Sequence, residues 1–282
     1  WQRHEAHLLN KAWALGFFAW VQVLLLGNAL PLIETGELFP SRGFERFIPL
    51  KADWAPTHGE ALAMIAVYGI FSLSLIFILA LIITPTLDQQ MRGWRKARKH
   101  GQQKIPALGD AAPATMFAAI MAVIAAVGWH IFTCELVESR WYPGHRVGIE
   151  MLGIYAIVMV VVGLGFQTLL QWKGGRALGL AVIFIGVVPI MAGSVMATVS
   201  DKFLHVSSWV TSISPLSLPL AAPVSRLSIN DLEKLPLQAI SGAFQFWLLV
   251  WSIAAIWLTL KARNANHELR TRVFAEGDDE PL

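Results

Sequence analysis

The sequence predicts an all-α, polytopic membrane protein with about six transmembrane helices and a re-entrant or interfacial hairpin before the last one. Hydrophobic residues make up 55% of the 282 residues and charged residues only 15%, which is more apolar surface than a water-soluble fold of this length can bury. Six stretches reach the roughly 20 apolar residues that a helix needs to cross a hydrocarbon core of about 30 Å. Because no Lys or Arg lies in the interior of these stretches, all six are predicted to span the membrane.

The six predicted spans belong to a single transmembrane domain, residues 1–262, and a cytoplasmic tail follows at residues 263–282. Three carboxylates, Glu34, Glu60 and Glu150, lie at span ends rather than inside them. Buried helices of a soluble core are the competing interpretation, which six such lengths in one chain disfavour. The spans are predicted at about residues 12–33, 60–84, 112–134, 149–171, 177–200 and 239–260.

Tryptophans support the same fold class. The chain has twelve Trp against three Tyr, and several lie where an apolar run meets a polar one, a position at which amphipathic rings favour the headgroup layer. Burial in the protein core is the alternative for any single ring. The tryptophans expected in an interfacial belt are Trp20, Trp129, Trp172 and Trp257.

The distribution of positive charge predicts the orientation of the spans, because cytoplasmic connections carry an excess of Lys and Arg. The N-terminus, the loop at 85–111, the turn at 172–176 and the tail after residue 260 hold 14 of the 22 lysines and arginines. Both termini are therefore expected on the cytoplasmic side.

The loop at 85–111 has the composition of a short and very basic helix. It is expected to lie along the inner membrane surface, where each Lys or Arg near anionic headgroups contributes on the order of 1 kcal/mol. The second interpretation, equally open, is a helix that docks a soluble partner. The residues that would make this contact are Arg92, Trp94, Arg95, Lys96, Arg98 and Lys99.

The outer connection before the last span, residues 201–238, is too apolar for a solvated loop. Its prolines divide it into pieces too short to cross the membrane, so it is predicted to form short helices that lie at the outer leaflet or dip into it. Non-helical backbone at that depth requires cover from protein or a water-filled cavity. A seventh span is the competing interpretation. The predicted re-entrant segment contains Trp209, Pro215, Pro219 and Pro223.

Motifs for catalysis and nucleotide binding are missing from the sequence. It has no GxxxxGK[ST] phosphate loop, no GxGxxG fingerprint, no HExxH and no GxSxG, and its single cysteine, Cys134, excludes an internal disulfide. We therefore expect no enzymatic activity in this chain, no cofactor other than bound lipids, and no nucleic-acid partner.

The polar groups inside the spans are uncharged apart from His130, whereas ion-coupled transporters usually carry ionisable groups there. Coupling to an ion gradient is therefore not expected. Hydrogen bonding between helices is the favoured role of these groups, with substrate binding as the alternative. They are Gln22, Asn28, Ser72, Ser74, Thr133, Gln167, Ser194 and Gln245.

Four histidines near the outer face, His58, His130, His145 and His205, raise the possibility of a metal or haem site. No two of them have the i, i+3 or i, i+4 spacing that places two ligands on one helix turn. Haem between spans would normally require a His on each of two facing helices, and only His130 lies inside a span. No metal site is therefore predicted.

Three segments accompany the six spans: WQRHEAHLLNK at 1–11, MRGWRKARKHG at 91–101 and FLHVSSWVTSISPLSLPLAAPVSRLS at 203–228. This layout resembles the permease subunit of the type-2 ABC exporter superfamily. In that family an amphipathic N-terminal helix leads into the first span, a cytoplasmic coupling helix between spans two and three docks on the ATPase subunit, and re-entrant helices precede the last span. GDAAPATMFAAIMAVIAAV at 109–127 and ISPLSLP at 213–219 are also similar to stretches of such proteins.

The resemblance implies a membrane-embedded permease subunit in the bacterial cytoplasmic membrane. Its implied partners are membrane lipids, a second permease in a homo- or heterodimer, and a separate ATP-binding subunit that docks on residues 88–108. The alternative is a non-catalytic structural subunit of a larger membrane complex, for example photosynthetic or respiratory, that keeps a permease-like fold. A membrane enzyme using the outer-face histidines is a third, less favoured hypothesis.

Overall fold

The fold is known from a computed structural model, which describes residues 10–35, 58–106, 108–109, 111–141, 146–199, 203–227 and 234–275. The predicted N-terminal segment up to residue 9, His145 and the acidic end of the tail lie outside the described residues. The described chain consists of helices joined by turns and short irregular segments, and no strand occurs in it.

The helices follow the predicted order of spans and connections. Six of them, α1, α2, α4, α5, α6 and α9, are long and apolar enough to cross a membrane, which confirms a polytopic α-helical membrane protein. The elements are α1 (Lys11–Thr35), α2 (His58–Ile83), α3 (Leu87–Lys99), α4 (Thr115–Glu135, continued by a π-helical turn at Leu136–Trp141), α5 (Glu150–Lys173), α6 (Gly175–Val199, with a π-helical stretch at Val182–Val187), α7 (Leu204–Ser212), a 3-10 turn (Pro215–Ser217), α8 (Leu218–Leu227) and α9 (Lys234–Ala275).

Helix α4 is the centre of the bundle and packs against α1, α2 and α5. Its packing face is made mostly of small side chains that are fully buried, among them Ala118, Ala122, Ala125 and Ala126. Small residues let helix backbones approach closely, and in a membrane this close packing is a main source of helix association.

Trp129 belongs to this core and not to the interfacial belt predicted for it. Its side chain is 0% exposed, its indole N–H donates to the Ile65 carbonyl at 2.6 Å, and its ring stacks on Tyr155 with centroids 3.7 Å apart. Gly69 provides the space, since a Cβ there would lie 2.5 Å from the Trp129 ring. The prediction for Trp129 was therefore wrong, because a glycine on another helix makes room for the ring.

Hydrogen bonds between helices account for several of the polar groups inside the spans. Gln22 of α1 accepts from the Tyr68 hydroxyl of α2 at 2.6 Å and donates to Ser72 at 3.1 Å. Thr133 of α4 lies 3.0 Å from the Tyr155 hydroxyl of α5. Gln167 of α5 donates to Thr84 beyond the end of α2. Three others bond only backbone of their own helix: Asn28, Ser74 and Ser194.

Helices α7 and α8 form a hairpin that enters the bundle. Helix α7 runs back along α6, where Ser207 donates to the Gly193 carbonyl at 2.8 Å and Ser214 to the Gly186 carbonyl at 2.6 Å. Gly186 lies 13 residues before the end of α6, which is about 20 Å along the helix axis. Helix α8 then returns beside α2 and α9. The segment is therefore re-entrant, and the described part of residues 203–227 contains no seventh span.

Helix α9 is much longer than the predicted last span. Its 42 residues extend over about 63 Å, roughly twice the hydrocarbon core. The rings of Trp172 and Trp257 contact each other at 5.6 Å, with Lys173 and Lys261 beside them, as expected at a membrane interface. The apolar run ends near Lys261, but the helix continues to Ala275 because residues 261–275 contain neither Gly nor Pro.

Candidate functional site

Two parts of the structure contain the residues singled out from the sequence. The first, here called the cap, consists of α3, the described residues of 100–114, and residues 261–275 of α9. The second is the hairpin, whose tip comprises Ile213–Ser217. The cap and the hairpin contact different parts of the same long helix, α9.

Helix α3 forms in the predicted basic loop with well-defined ends. Thr86 is the N-cap: its hydroxyl accepts from the Gln89 amide N–H, and the Gln89 side chain accepts from the Thr86 N–H at 2.9 Å, which is a capping box. Asp88 lies in the first turn and the basic residues in the last, so both ends match the helix dipole. The predicted basic helix is confirmed.

One face of α3 is covered by the end of α9. Trp94 is 7% exposed and Ala97 is 4% exposed, and both pack on Val273 with Leu269 beside it. The Trp94 indole N–H donates to the Asn266 side-chain oxygen at 3.3 Å. The apolar face of α3 is therefore occupied within the chain itself.

Two arginines strengthen this contact between helices. The Arg98 guanidinium donates to the Val273 carbonyl at 2.7 Å. From α9, the guanidinium of Arg270 lies over the Trp94 ring at 5.6 Å and over the Phe274 ring at 5.8 Å, a cation–π arrangement.

These contacts fix the direction of α3 relative to α9. Asn266 and Val273 follow Trp257 by 9 and 16 residues, which corresponds to about 14 and 24 Å along the α9 axis. Trp94 and Arg98 lie beside Asn266 and Val273, so α3 runs outward along α9. The physical reason is that the apolar face of α3 packs on α9 instead of on lipid.

The six predicted docking residues divide between the two sides of α3. Trp94 and Arg98 point toward α9, whereas the other four are exposed. Their i, i+3, i+4, i+7 spacing places them on one helix face. This exposed basic face consists of Arg92, Arg95, Lys96 and Lys99.

Lys11 ties the start of α1 to the cap. Its side chain is 1% exposed, and its ammonium donates to the Gly109 carbonyl at 2.5 Å and to the Ala112 carbonyl at 2.7 Å. Gly93 of α3 lies against Ala111, where no Cβ would fit. The start of α1, the α3 loop and the end of α9 are therefore on the same side of the membrane.

Sequence reasoning missed Lys11 and the end of α9 as parts of this site. The end of α9 could have been recognised, since Ala262, Leu269 and Val273 are apolar residues at helical spacing within a polar tail. Lys11 gave no signal, because a lysine at the membrane boundary is normally solvated.

At the hairpin tip, serine hydroxyls and a tryptophan indole hydrogen-bond the backbone between α7 and α8. Ser214 donates to the Gly186 carbonyl and accepts from the Leu216 N–H at 3.1 Å, and Ser217 donates to the Ser214 carbonyl at 2.7 Å. From α9, the Trp251 indole N–H donates to the Ile213 carbonyl at 2.9 Å. The tip thus meets the requirement for irregular backbone at membrane depth.

All four predicted hairpin residues lie in the hairpin, at different positions along it. Trp209 packs on Phe246 of α9 with ring centroids 5.6 Å apart. Pro215 opens the 3-10 turn, and Pro219 lies in the first turn of α8, where a missing N–H costs little. Pro223 lies inside α8. All three prolines are buried.

A cavity lies on each side of the tip. The first, the apolar cavity, has a volume of about 240 Å³ and lies between α5, α6 and α9, with Pro215 and Trp251 in its wall. The second, the hydroxyl cleft, measures about 280 Å³ and lies within the hairpin and beside Ile240. Its wall carries the hydroxyls of Ser207, Ser208, Thr211 and Ser217.

The histidines do not converge in the described parts of the chain, where no group of three or more His, Cys, Asp or Glu side chains is placed to hold a metal ion. His130 and Cys134 lie close together on α4, with Nε2 and Sγ 3.5 Å apart. Cys134 is partly exposed. Comparisons with protein-family models, curated proteins and solved structures found no match to this chain.

Proposed function

We propose that this chain is the membrane-embedded permease subunit of an ABC-type transporter, driven by a separate ATP-binding subunit that docks on the cap. The observation that carries the proposal is the placement of α3. Helix α3 lies beside the stretch of α9 that is about 14 to 24 Å beyond Trp257 along the helix axis, and its exposed basic face is turned away from α9. A soluble protein surface fits this position better than lipid does.

The charge of the cap supports the expected orientation. Its lysines and arginines favour the cytoplasmic side by the positive-inside rule, so the proposal has the start of α1 and the end of α9 on that side. The bacterial cytoplasmic membrane is the location that accompanies this function, and a second permease completes the transporter as a homo- or heterodimer.

The chemistry of docking follows from the exposed face. Arg92, Arg95, Lys96 and Lys99 offer four positive side chains on one side of a helix, which complement an acidic surface on the partner. Such charges chiefly set specificity and association rate. The apolar contacts that stabilise α3 are already made with α9, so partner binding does not have to fold the helix.

Helix α9 offers a direct connection from the docking surface to the membrane interior. It contacts α3 at Asn266 and Val273 and holds the hairpin tip through Trp251. No Gly or Pro interrupts it between these points, so a displacement of α3 is transmitted along a continuous helix.

A structural subunit of a larger membrane complex is the second candidate. The exposed basic face supports it as well, because an acidic surface on a non-ATPase neighbour would bind there equally. The two candidates differ in the identity of the chain that contacts α3.

The deciding experiment is purification of the intact complex from its native membrane after chemical cross-linking, with the cross-linked peptides identified by mass spectrometry. The proposal expects cross-links from Lys96 and Lys99 to a chain that carries a nucleotide-binding motif. Cross-links from the same lysines only to subunits without such a motif would establish the structural role instead.

A further inference from the structure

The cap carries far more positive than negative charge. Its described residues include ten lysines and arginines but only two carboxylates, Asp88 and Glu268. The packing of α3 on α9 holds these positive charges in a small region, and like charges held close together repel one another. The exposed basic face of α3 is therefore a surface on which added negative charge is favourable.

The sequence directly after α9 supplies negative charge. Ala275 is the last residue of the helix, and the chain continues as EGDDE at 276–280. These five residues, here called the acidic segment, lie outside the described residues and carry four carboxylates. Gly277 comes two positions after the helix end, where glycine commonly marks a change of chain direction.

The end of α9, from which the acidic segment continues, lies beside the last turn of α3. Arg98 donates to the Val273 carbonyl at 2.7 Å, and the same turn of α3 contains Lys96 and Lys99. Five residues reach at most about 17 Å, whereas a helix with its side chains is about 10 to 12 Å across. The acidic segment is therefore long enough to pass from α9 to the opposite side of α3.

We propose that the acidic segment binds the exposed basic face of α3 in the same chain, at Arg95, Lys96 and Lys99, and that a docking partner displaces it. Exposed ion pairs are individually weak, but binding within one chain has the advantage of a high effective concentration. The basic face is therefore covered in the isolated chain and is released to a partner with a larger acidic surface. The proposal rests on the proposed function only for the identity of that partner, because the contact itself needs no other subunit.

Zero-length carbodiimide cross-linking tests the contact, because this reagent joins a carboxylate to an amine only when the two groups touch. The full chain is placed without other subunits in phosphatidylcholine nanodiscs, whose headgroups carry no net charge. Cross-linked peptides are identified by mass spectrometry. We expect amide links from Lys96 or Lys99 to the acidic segment, with a yield about tenfold lower in about 1 M salt, where the Debye length is about 3 Å.

Lys173 is the control amine for this experiment. It is exposed, and its neighbour Trp172 contacts Trp257, which precedes Ala275 by 18 residues, or about 27 Å along α9. The acidic segment is too short to cover that distance. No link from Lys173 to the acidic segment is expected.

Isotope labelling separates a contact within one chain from a contact between two copies. Unlabelled and labelled chains are mixed in detergent before reconstitution. We expect every link between α3 and the acidic segment to join peptides of the same label. Links between peptides of different label would overturn the proposal, because a second copy would then supply the carboxylates.

Neutralising the acidic segment tests the cover from the side of the lysines. In the combined variant Asp278→Asn, Asp279→Asn and Glu280→Gln, we expect the two lysines of α3 to be acetylated severalfold faster by an amine-reactive ester, and the control amine at the unchanged rate. Glu268→Gln removes an exposed carboxylate elsewhere in the cap and should leave all three rates unchanged.

The outcomes separate this proposal from the docking of an ATP-binding subunit. Absence of the links in low salt, or equal acetylation of the two lysines in the neutralised variant and in Glu268→Gln, would overturn the contact and leave the docking proposal standing. Links in the isolated chain, with no ATP-binding subunit in the native complex, would support the contact and reject the proposed function.

Discussion

The indole nitrogen of Trp94 lies 3.3 Å from the side-chain oxygen of Asn266, although 172 residues separate them in the chain. This contact joins a connection between two early spans to the end of the last span. The basic loop and the polar tail therefore pack together as two helices. Because Trp94 faces α9, the opposite, basic face of α3 is the one that a partner could contact.

Replacing Trp94 by Ala should release α3 from α9. Large-to-small substitutions of buried aromatics cost about 3 kcal/mol, and Trp94 supplies both the packing and the hydrogen bond. We expect amide hydrogen exchange to accelerate across α3 and across residues 262–274 together. Trp13, which is 74% exposed, provides the control, and Trp13→Ala should leave exchange in the cap unchanged. Faster exchange in α3 alone would show that the two segments do not depend on each other.

Lys11→Met should loosen the turn before α4. The substitution keeps the length of the side chain and leaves the carbonyls of Gly109 and Ala112 without the Lys11 ammonium. The loss is expected to be about 2 kcal/mol for hydrogen bonds to a charged group. Limited trypsin digestion should then cut faster at Lys104, which is exposed. The control for the lost charge is Lys261→Met, because Lys261 is an exposed lysine of the cap. If Lys261→Met accelerated cleavage at Lys104 equally, the effect would come from the loss of charge and not from the loss of the Lys11 hydrogen bonds.

Gly69→Val should displace Trp129 from the core. A Cβ at this position would meet the indole ring at 2.5 Å, and overpacking typically costs about 1 to 3 kcal/mol. We expect a lower unfolding temperature in detergent and a red-shifted tryptophan emission. Gly153→Val, which adds the same side chain into open space, should change neither. An unchanged unfolding temperature for Gly69→Val would mean that Trp129 is not packed against α2.

Ser214→Ala should weaken the hairpin tip. The Ser214 hydroxyl makes the bond to the Gly186 carbonyl and accepts from the Leu216 N–H, so its removal is expected to cost about 1 to 2 kcal/mol. In a Cys134→Ser background, a cysteine introduced at Leu216 should react faster with a water-soluble maleimide. Ser194→Ala removes a hydroxyl that is bonded only within α6 and should have no effect on that rate. Identical rates in both variants would argue that Ser214 does not hold the tip in place.

The spans could be predicted from the sequence because a run of about 20 apolar residues is the length that a helix needs to cross the hydrocarbon core. It predicted the hairpin from Pro215, Pro219 and Pro223, which interrupt every long apolar window. The depth of the hairpin could not be predicted, because it depends on Ser214 reaching Gly186 of another helix.

The errors have the same origin in contacts between distant residues. Trp129 precedes a polar histidine in the sequence and was assigned to the interface, whereas the space that buries it comes from Gly69. The continuation of α9 to Ala275 was not predicted either, because charge ends an apolar run near Lys261 but does not end a helix. The packing of α3 on α9 was not predicted, because its apolar partner, Val273, lies near the other end of the chain.

The central claim, that an ATP-binding subunit docks on the basic face of α3, is tested most directly by charge reversal at Arg95, Lys96 and Lys99. The complex would be purified from its native membrane with the Arg95→Glu, Lys96→Glu and Lys99→Glu substitutions combined, and the amount of ATP-binding subunit per permease would be measured. Arg146→Glu, at an exposed arginine beyond the opposite end of the bundle, controls for charge. We predict loss of the ATP-binding subunit in the triple variant and full retention in Arg146→Glu. Full retention in the triple variant would contradict the claim.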